Sequence, residues 1–572
     1  MSTKELRQWV EETGMLKGIS IVHSSGAKNE CIVKGWNAHN GKRLKLGIYI
    51  SDSFPFSKPT VFLENHQDFG WLAHVSLDGT ICFIDNDGFV LDYENPAGII
   101  TESIQRSLRT LKASLDGNNR DDIFSELEAY FNHFDGARTV NSILPGLDEL
   151  RLVKSCMISK EFWIGLNRKQ LEQFAEKIAP ESTNPSTFSK YLYVPLKDSA
   201  LSKIPVPDLN GFWRLTQIRE FIFSNLRESH FSLLRLLKET KHLSIIIKLS
   251  LLDGTFVHFG IDFSGHKESK HPLLNGKSCA KPRPININRM DKDYLTSRGG
   301  SNSNLSDKRV VVVGCGAVGS IVALELAKAG ILHLTLVDHD TLSKDNLYRH
   351  ALGYNSKLGT SKVDALKKEI EGKLPLTTVC AINGRFETVM QTEQIDFSVI
   401  DLVVIATGDP NSSFVTNQFF LEHYPGLPVL YTWLEPFGIG GHTLLTNNKT
   451  SAGCFHCLYK RDEIIGLHNQ FSFAKEGQAF KKSVSGCATR FTPFSSLDST
   501  RSAIEAVRVS VLVLLGKLEE NSLWSWKGDA ELFRENGYLT TPRFEHSSEL
   551  LEAGRKDFVN MQCTVCTLKH QK

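Results

Sequence analysis

The pattern of hydrophobic and polar positions changes twice along the chain. From residue 291 onward, continuous apolar runs recur at the spacing of a parallel sheet, as KRVVVVG, LHLTLVD, DLVVIATG and PVLYTW. A strand that is covered by helices on both faces has no polar side, and such strands give uninterrupted apolar runs. The stretch AVGSIVALELAKAGI between the first two runs has a helical pattern. Residues 291–572 are therefore predicted to form an α/β domain of the Rossmann type.

The first 130 residues follow a different pattern. Short strand-like runs alternate with turns, as ISIVHSS, CIVKGW, LKLGIYI and PTVFL. A later helix, Gly98 to Leu115, carries apolar side chains at helical spacing, for example Ile100, Ile104 and Leu108. This pattern predicts a small α+β domain over residues 1–130.

Residues 131–290 carry no chemical motif. Strand-like runs (KYLYVPL, HLSIIIKLSLL and TFVHFGI) and a helix around Gln217 to Arg227 predict a second α+β domain. The polar stretch SRGGSNSNLSD that follows is typical of a linker. We expect this middle domain to have a structural or substrate-docking role.

Charge and composition narrow the class of protein. The 66 basic and 64 acidic residues nearly balance, so electrostatics gives no reason to expect nucleic acid or a membrane as partner. The N-terminal stretch is charged and has no signal-peptide core, and the apolar runs are too short to span a bilayer. We expect a cytoplasmic protein whose 11 cysteines are not a disulfide set.

A glycine-rich turn follows the first apolar run of the α/β segment. Gly314, Gly316 and Gly319 lie between a predicted strand and a predicted helix. Glycines there let the backbone approach phosphates, which the helix N-terminus attracts. Asp338 ends the next strand, about 20 residues on, where an acid binds ribose hydroxyls. This pattern alone fits an ATP-binding enzyme or a dehydrogenase.

The residues after this turn favour ATP. The run VDHDTLSKDNLYRHALGYNSKLGTSKVDALKKEI resembles the signature of the ubiquitin-activating superfamily, which includes the bacterial enzymes that adenylate ThiS and MoaD. That signature consists of an acid-x-acid pair, an Asn-x-x-Arg element and a Gly-x-x-Lys element, which here are Asp338 with Asp340, Asn346 with Arg349, and Gly359 with Lys362.

The resemblance implies a site for ATP and magnesium (Mg²⁺). A carboxylate that attacks the α-phosphate of ATP needs charge neutralisation and a metal more than it needs a base. Arg349 and Lys362 would supply the positive charge. Asp409 follows the next strand, in the place of the family's metal-binding aspartate, although this chain has Thr-Gly-Asp-Pro where the family usually has Thr-Asp-Asn.

Four cysteines form two CxxC pairs, Cys454 with Cys457 and Cys563 with Cys566. Four thiolates suit tetrahedral zinc (Zn²⁺) in a closed structural site. The activating superfamily commonly carries such a split set, which would attach the end of the chain to the α/β domain. A redox dithiol is the alternative. His456, inside the first pair, is a weaker ligand candidate.

Cys487 lies in a polar stretch that leads into a long apolar helix. Members of the activating superfamily place a catalytic cysteine in a mobile loop before such a helix, where it takes the adenylated carboxylate as a thioester. Arg490 nearby would favour the thiolate. An inert, half-buried cysteine is the alternative.

Cys82 lies in a second resemblance. The run FPFSKPTVFLENHQDFGWLAHVSLDGTICFIDNDG is similar to the core of ubiquitin-conjugating enzymes, which have a histidine segment and then Gly-x-Ile-Cys. His74 and the stretch Asp78 to Cys82 match that order. The chain departs at the His-Pro-Asn tripeptide, reading His74-Val75-Ser76, so the asparagine that would stabilise an oxyanion is absent. A core cysteine is the alternative.

The order of the three segments resembles bacterial fusion enzymes of CBASS anti-phage operons. That resemblance implies a homodimer and a protein substrate with a free C-terminus, a cyclic-nucleotide synthase (CD-NTase), that becomes linked to an amine acceptor. Cys487 and then Cys82 would carry the acyl group. Two alternatives are a ThiF/MoeB-type adenylyltransferase for a sulfur carrier and a non-catalytic binding or scaffold protein.

Overall fold

The computed structural model describes most of the 572 residues. The described residues are 3–23, 30–83, 90–131, 134, 136–181, 185, 187–207, 212–230, 236–238, 243–263, 268–298, 303–353, 357–448, 451–483 and 490–566. They divide into two compact units, Met1–Gln173 with Ser182–Met290, and Phe174–Glu181 with Asp291–Lys572. Within the described ranges, no helix combines the length and the apolar character needed to cross a lipid bilayer.

The first unit begins with a four-stranded antiparallel sheet and a long helix. Its elements are α1 (Thr3–Glu12), β1 (Lys17–His23), β2 (Cys31–His39), β3 (Lys42–Ile50), β4 (Thr60–Leu63) and α2 (Pro96–Leu115). The strands lie in the order β1-β2-β3-β4. Leu44, Leu46 and Ile48 of β3 are buried in one core with Ile100 and Ile104 of α2. The predicted α+β domain is confirmed.

Two short helices, α3 (Asp122–Ser125) and α4 (Leu127–Tyr130), lead into a closed seven-stranded barrel. The other elements of this region are β5 (Arg138–Ser142), β6 (Arg151–Ile158), β7 (Glu161–Gly165), α5 (Arg168–Ile178), β8 (Ser189–Pro195), α6 (Leu215–Ser224), β9 (Ser244–Ser250), β10 (Phe256–Asp262) and β11 (Arg283–Arg289). The barrel order is β10-β11-β5-β7-β6-β8-β9.

The barrel strands are buried on both faces, which explains their apolar runs. In β9, Ile246 packs in one core cluster, whereas Ile245 and Ile247 pack in another cluster together with residues of α3, α4 and α6. The sequence predicted strands and helices here, but it did not predict that the strands close into a barrel.

The second unit is a seven-stranded mixed sheet with helices. Its elements are α7 (Lys292–Arg298), β12 (Arg309–Val313), α8 (Gly319–Lys328), β13 (His333–Asp338), α9 (Lys362–Lys373), β14 (Thr378–Asn383), α10 (Phe386–Gln391), β15 (Leu402–Ile405), α11 (Pro410–His423), β16 (Val429–Leu434), β17 (Gly440–Thr446), β18 (Tyr459–Asp462), β19 (Gly466–Asn469), β20 (Lys482–Ser483), β21 (Arg490–Phe491), α12 (Ser496–Leu514), β22 (Ser522–Lys527), α13 (Glu531–Glu535) and α14 (Ser548–Ala553).

The order of this sheet creates a crevice at one point. The strands lie as β14-β13-β12-β15-β16-β17-β22, and the first five are parallel. From β12 the chain builds outward through β13 and β14, and it then returns to build β15 and β16 on the other side. Ligands bind at the carboxyl ends of parallel strands where the order reverses in this way. The Rossmann-type prediction is confirmed, and the crevice lies between the ends of β12 and β15.

Candidate active site

The glycine turn lies at this crevice, and two of its glycines are required by close backbone contacts. Gly314 has φ +82°, and a Cβ there would lie 2.9 Å from the backbone nitrogen of Thr407. A Cβ on Gly319 would lie 1.7 Å from the carbonyl oxygen of Gly314. Gly316 has no atom within 4 Å of where its Cβ would be, so its outer side is open to a ligand.

Asp338 holds the glycine turn in place. Its buried carboxylate accepts hydrogen bonds from the backbone N–H of Cys315 at 2.6 Å and of Asp340 at 2.8 Å. Asp338, at the end of β13, therefore stabilises the glycine turn through hydrogen bonds that need no ligand. A contact of Asp338 with ribose stays a prediction.

Lys362 brings a positive charge into the crevice. It is the first residue of α9, whose N-cap Ser361 accepts from the backbone N–H of Asp364. The Lys362 ammonium lies 2.8 Å from an Asp340 oxygen, and the lysine side chain is only 7% exposed. Its hydrogen bond to Asp340 is the main reason that the pKa of Asp340 lies below its usual value.

These side chains surround a cavity of about 270 Å³. The cavity is lined by six of the predicted residues, Gly314, Gly316, Asp338, Asp340, Lys362 and Asp409. Sequence analysis missed Arg385, Glu387 and Ser412, which also line it. Arg385 and Glu387 follow β14, and carboxyl ends of parallel strands share one edge of the sheet. The position of Arg385 and Glu387 directly after β14 is therefore a signal for this site that the sequence already contains.

Asp409 has a defined structural place despite the unusual Thr-Gly-Asp-Pro sequence. It is the N-cap of α11 and accepts hydrogen bonds from the backbone N–H groups of Asn411 and Ser412 at 3.1 and 3.3 Å. Pro410 is the first residue of that helix, where its missing N–H costs nothing. The carboxylate thus lies at the crevice edge, as predicted from its position after β15.

Among the predicted residues with polar side chains, two do not line this cavity. Asn346 accepts hydrogen bonds from the backbone and side chain of Ser343 and so closes a local turn. The Arg349 guanidinium lies 4.5 Å from the ring centre of Phe494, and one of its nitrogens is 3.5 Å from the Asp345 carbonyl oxygen. These local contacts account for the positions of both side chains, and their predicted role toward the phosphates stays a prediction.

A second cavity of about 410 Å³ is also lined by Asp409. Part of its wall is aromatic, with Tyr431, Trp433, Phe455 and Tyr459. Asp409 therefore lies between the nucleotide-type cavity and a second, more apolar cavity. This second cavity had no signal in the sequence, because its residues come from separate strands and turns.

The two CxxC pairs meet in the fold. Their sulfurs lie 3.8 Å (Cys454 to Cys563), 4.0 Å (Cys454 to Cys457) and 3.6 Å (Cys457 to Cys566) apart. All four cysteines are buried, and none forms a disulfide. A zinc ion with four bonds of about 2.3 Å places its sulfurs about 3.8 Å apart in a tetrahedron. The cluster therefore fits structural zinc better than a pair of dithiols.

His456 lies outside this sulfur set. Its Nδ1 is 3.0 Å from the side-chain nitrogen of Asn417 and accepts that hydrogen bond. Burial lowers the pKa of His456, so the ring is neutral. The prediction that His456 is the weaker ligand candidate agrees with this geometry.

Cys82 is exposed, which removes the alternative of a core cysteine. Its backbone N–H donates to the carbonyl oxygen of His74 at 2.8 Å. Between them, a tight turn has Gly79 at φ +86° and Asp78, whose carboxylate accepts from the backbone N–H of Thr80 at 2.9 Å. The Gly-x-Ile-Cys stretch thus presents the thiol at the end of a fixed turn.

Cys487 lies outside the described residues. The segments on either side of it pair as β20 and β21, with Lys482 opposite Phe491. The predicted long helix follows as α12, with Ser495 as its N-cap. The role of Cys487 stays a prediction.

Family comparisons agree with both resemblances. Residues 292–516 match the ThiF family, and residues 7–138 match prokaryotic E2 family B. The chain is a fusion of these two kinds of domain. Because both an activating and a conjugating domain are present, this fusion protein is an activating and conjugating enzyme of the ubiquitin-like type, and the dehydrogenase and scaffold alternatives are set aside.

The fusion enzyme has relatives along most of its length. The ATP-dependent ubiquitin transferase-like protein Cap2 of Pseudomonas aeruginosa is 24% identical over 455 residues, which cover 76% of this chain and 78% of the relative. The Escherichia coli protein of the same name is 22% identical over 510 residues, covering 80% and 82%. Among solved structures, E. coli MccB with ATP has 17% identity and a TM-score of 0.33, covering 46% of this chain and 68% of MccB.

Proposed function

We propose that the fusion enzyme adenylates the C-terminal carboxylate of a protein, carries the acyl group on Cys487 and then on Cys82, and joins it to an amine. The observation that carries this proposal is the pair of cavities that share Asp409. A nucleotide in the first cavity and a polypeptide tail in the second would meet at that carboxylate.

The charges of the first cavity suit adenylation. The tail carboxylate oxygen attacks the α-phosphorus of ATP, and pyrophosphate leaves. Lys362 and Arg385 both line the cavity and would offset negative charge on the phosphates. Magnesium, when bound, would neutralise the phosphate oxygens further, and the carboxylates of Asp409 and Asp340 are the hard oxygen ligands that it prefers.

The second cavity suits the end of a polypeptide. Its aromatic wall gives an extended tail apolar surface. Polar side chains of Asn469 and Ser472 also line the cavity and could bind backbone groups of the tail.

The remaining steps are thiol chemistry. The Cys487 thiolate attacks the acyl carbonyl and AMP leaves; the Cys82 thiolate then attacks the new thioester and releases Cys487. An amine nitrogen finally attacks the Cys82 thioester, forms an amide, loses a proton and frees the Cys82 thiol. Thioesters exchange readily between thiols, and a single chain raises the effective concentration of the second thiol.

The substrate that we propose is a CD-NTase, and the assembly is a homodimer. Support comes from the resemblance to CBASS fusion enzymes and from relatives that are ubiquitin transferase-like over three quarters of this chain. A sulfur-carrier adenylyltransferase needs no conjugating domain, so the match of residues 7–138 argues against that alternative.

The test combines the enzyme with ATP, magnesium and a CD-NTase from the same genome. We expect a thiol-sensitive adduct in non-reducing gels and a thiol-resistant final product. Cys487→Ala should abolish the adduct but keep pyrophosphate exchange, whereas Cys82→Ala should keep an adduct and lose the final product. A CD-NTase without its last residues is the matched control and should give neither species. Normal product formation by Cys82→Ala would refute the role of Cys82.

A further inference from the structure

A short segment beside Cys82 is anchored in the barrel core. This capping segment is Asp122–Tyr130, which comprises α3 and α4. Phe124 and Leu127 are fully buried in the same core cluster as residues of β8, β9 and β10. Each fully buried side chain of this kind contributes about 1.5–3 kcal/mol, so the segment is held firmly by the barrel.

The polar side of the capping segment binds His74. Glu126 lies 3.0 Å from Nδ1 of His74, and Asp122 lies 3.1 Å from Nε2. Carboxylates only accept, so both ring nitrogens donate and the imidazole is protonated. The hydrogen bond to Glu126 is the largest cause of the raised pKa of His74, about 9, although partial burial opposes it. Burial acts to raise the pKa of Glu126, but the hydrogen bonds from His74 and Tyr130 together hold it below its usual value.

Among the described residues, two charged groups contact this ring. They are Asp122 and Glu126, with Tyr130 behind them donating its hydroxyl proton to Glu126. Burial, together with the nearby charges of Glu126 and Cys82, raises the pKa of Tyr130 well above its usual value. Because both nitrogens of His74 are occupied as donors, the ring has no lone pair with which to accept a proton from an attacking amine. Its role is therefore not that of a general base.

The loop that holds Cys82 depends on these contacts. His74 has φ +61°, a left-handed conformation that costs a non-glycine residue about 1–2 kcal/mol. Its carbonyl oxygen accepts from the Cys82 N–H. Trp71, three residues earlier, packs against Tyr130 with ring centres 4.8 Å apart. Ser114 of α2 donates to the carbonyl oxygen of Ala73 at 3.0 Å. The capping segment thus holds the loop at Trp71 and at His74.

We propose that Asp122 and Glu126, carried by the barrel, are positioning residues for acyl transfer from Cys82. This inference rests on the proposed function, in which Cys82 carries a thioester. The chain has no asparagine after His74, and the ion-paired histidine fixes the same stretch of loop by another means. The barrel, to which the sequence assigned no chemistry, would then support the geometry of the transfer step by anchoring the capping segment.

The test measures discharge of the Cys82 thioester to free lysine in a single turnover. Glu126→Gln should slow discharge about ten- to hundred-fold, because small displacements of reacting groups have effects of that size. Asp121→Asn is the matched control, since that carboxylate lies immediately before the capping segment, is 43% exposed and pairs with Arg120 instead. Only enzyme that already carries the thioester on Cys82 is compared, because loading requires a folded variant. If Glu126→Gln does not load, Asp122→Asn supplies the same comparison.

The pH profile separates positioning from a general loss of structure. Because the pKa of His74 is raised, its ion pairs are complete below pH 6.5 and are lost as the pH rises through about 9. Glu126→Gln lowers that pKa, so the defect should be small at pH 6.5 and largest near pH 8.5. His74→Gln should discharge the thioester slowly at both pH values. The double variant His74→Gln, Glu126→Gln should be no slower than His74→Gln alone.

Two failures can be told apart. If the wild type never loads Cys82, the proposed function is wrong. If Cys82 loads and Glu126→Gln discharges like Asp121→Asn at every pH, the positioning role is wrong and the proposed function stands. The same conclusion follows if the effects of His74→Gln and Glu126→Gln on the discharge rate are additive.

Discussion

Replacing Lys362 by methionine removes one charge from the nucleotide cavity and leaves most of the structure intact. The lysine stem is buried, and methionine retains much of its apolar contact. The lost ion pair is to Asp340, whose side chain is 54% exposed, so unfolding free energy should fall by no more than about 1 kcal/mol. Without Lys362, the pKa of Asp340 returns toward its usual value, far below 7, so the carboxylate stays ionised and the change in charge is that of the lysine alone.

The effect on adenylation should be much larger than the effect on stability. A fixed charged donor aimed at the phosphates is worth about 3 kcal/mol in the transition state, or about 10²–10³ in rate. Pyrophosphate exchange at saturating substrate should fall by that factor in Lys362→Met. Lys368→Met, an exposed lysine on the same helix, should exchange at the wild-type rate.

Arg385 lines the same cavity, so Lys362→Met should keep measurable exchange and the further change Arg385→Met should lower it again. Thermal unfolding of each variant checks that the fold is retained. If Lys362→Met exchanges as fast as Lys368→Met while both melt like the wild type, Lys362 only fixes Asp340 and the assignment to the phosphates is refuted.

Two further predictions concern the second unit. Metal analysis should find one zinc per chain, and Cys454→Ser should lose both the zinc and thermal stability. His456→Ala should retain the zinc, because His456 lies outside the sulfur set. A metal-free protein of equal stability would contradict the zinc site. Burial lowers the pKa of His350 to about 4, and its ring donates to the carbonyl oxygen of Cys315 at 2.8 Å. Since a lowered histidine pKa gives stability that is complete above pH 6.5 and lost as the pH falls through 4, acidification from pH 7 to pH 4 should cost about 3 kcal/mol from this group. Denaturant unfolding should show that the unfolding free energy of His350→Gln falls by about 3 kcal/mol less than that of the wild type between pH 7 and pH 4. An equal fall in both proteins would contradict this role of His350.

Much of the nucleotide site could be predicted because its residues follow one another along the chain. The turn from Gly314 to Gly319 and the acids Asp338 and Asp340 belong to two successive strand ends, and local spacing determines where such residues lie. The same holds for the turn that ends at Cys82, whose glycine and aspartate shape the backbone over a few residues. Arg349 shows the limit of this argument, since its motif is present but its side chain packs on Phe494.

The sequence by itself determined the apolar strands, the glycine turn, the two CxxC pairs and the Gly-x-Ile-Cys turn, because each depends on neighbours within a few residues. Only the tertiary structure decided which distant groups meet. The CxxC pairs are separated by 105 residues yet form one sulfur cluster. Arg385 joins Lys362 at one sheet edge, and Glu126 reaches His74 from a segment anchored in the barrel. Such meetings depend on strand order and core packing, and no local pattern of side chains encodes either.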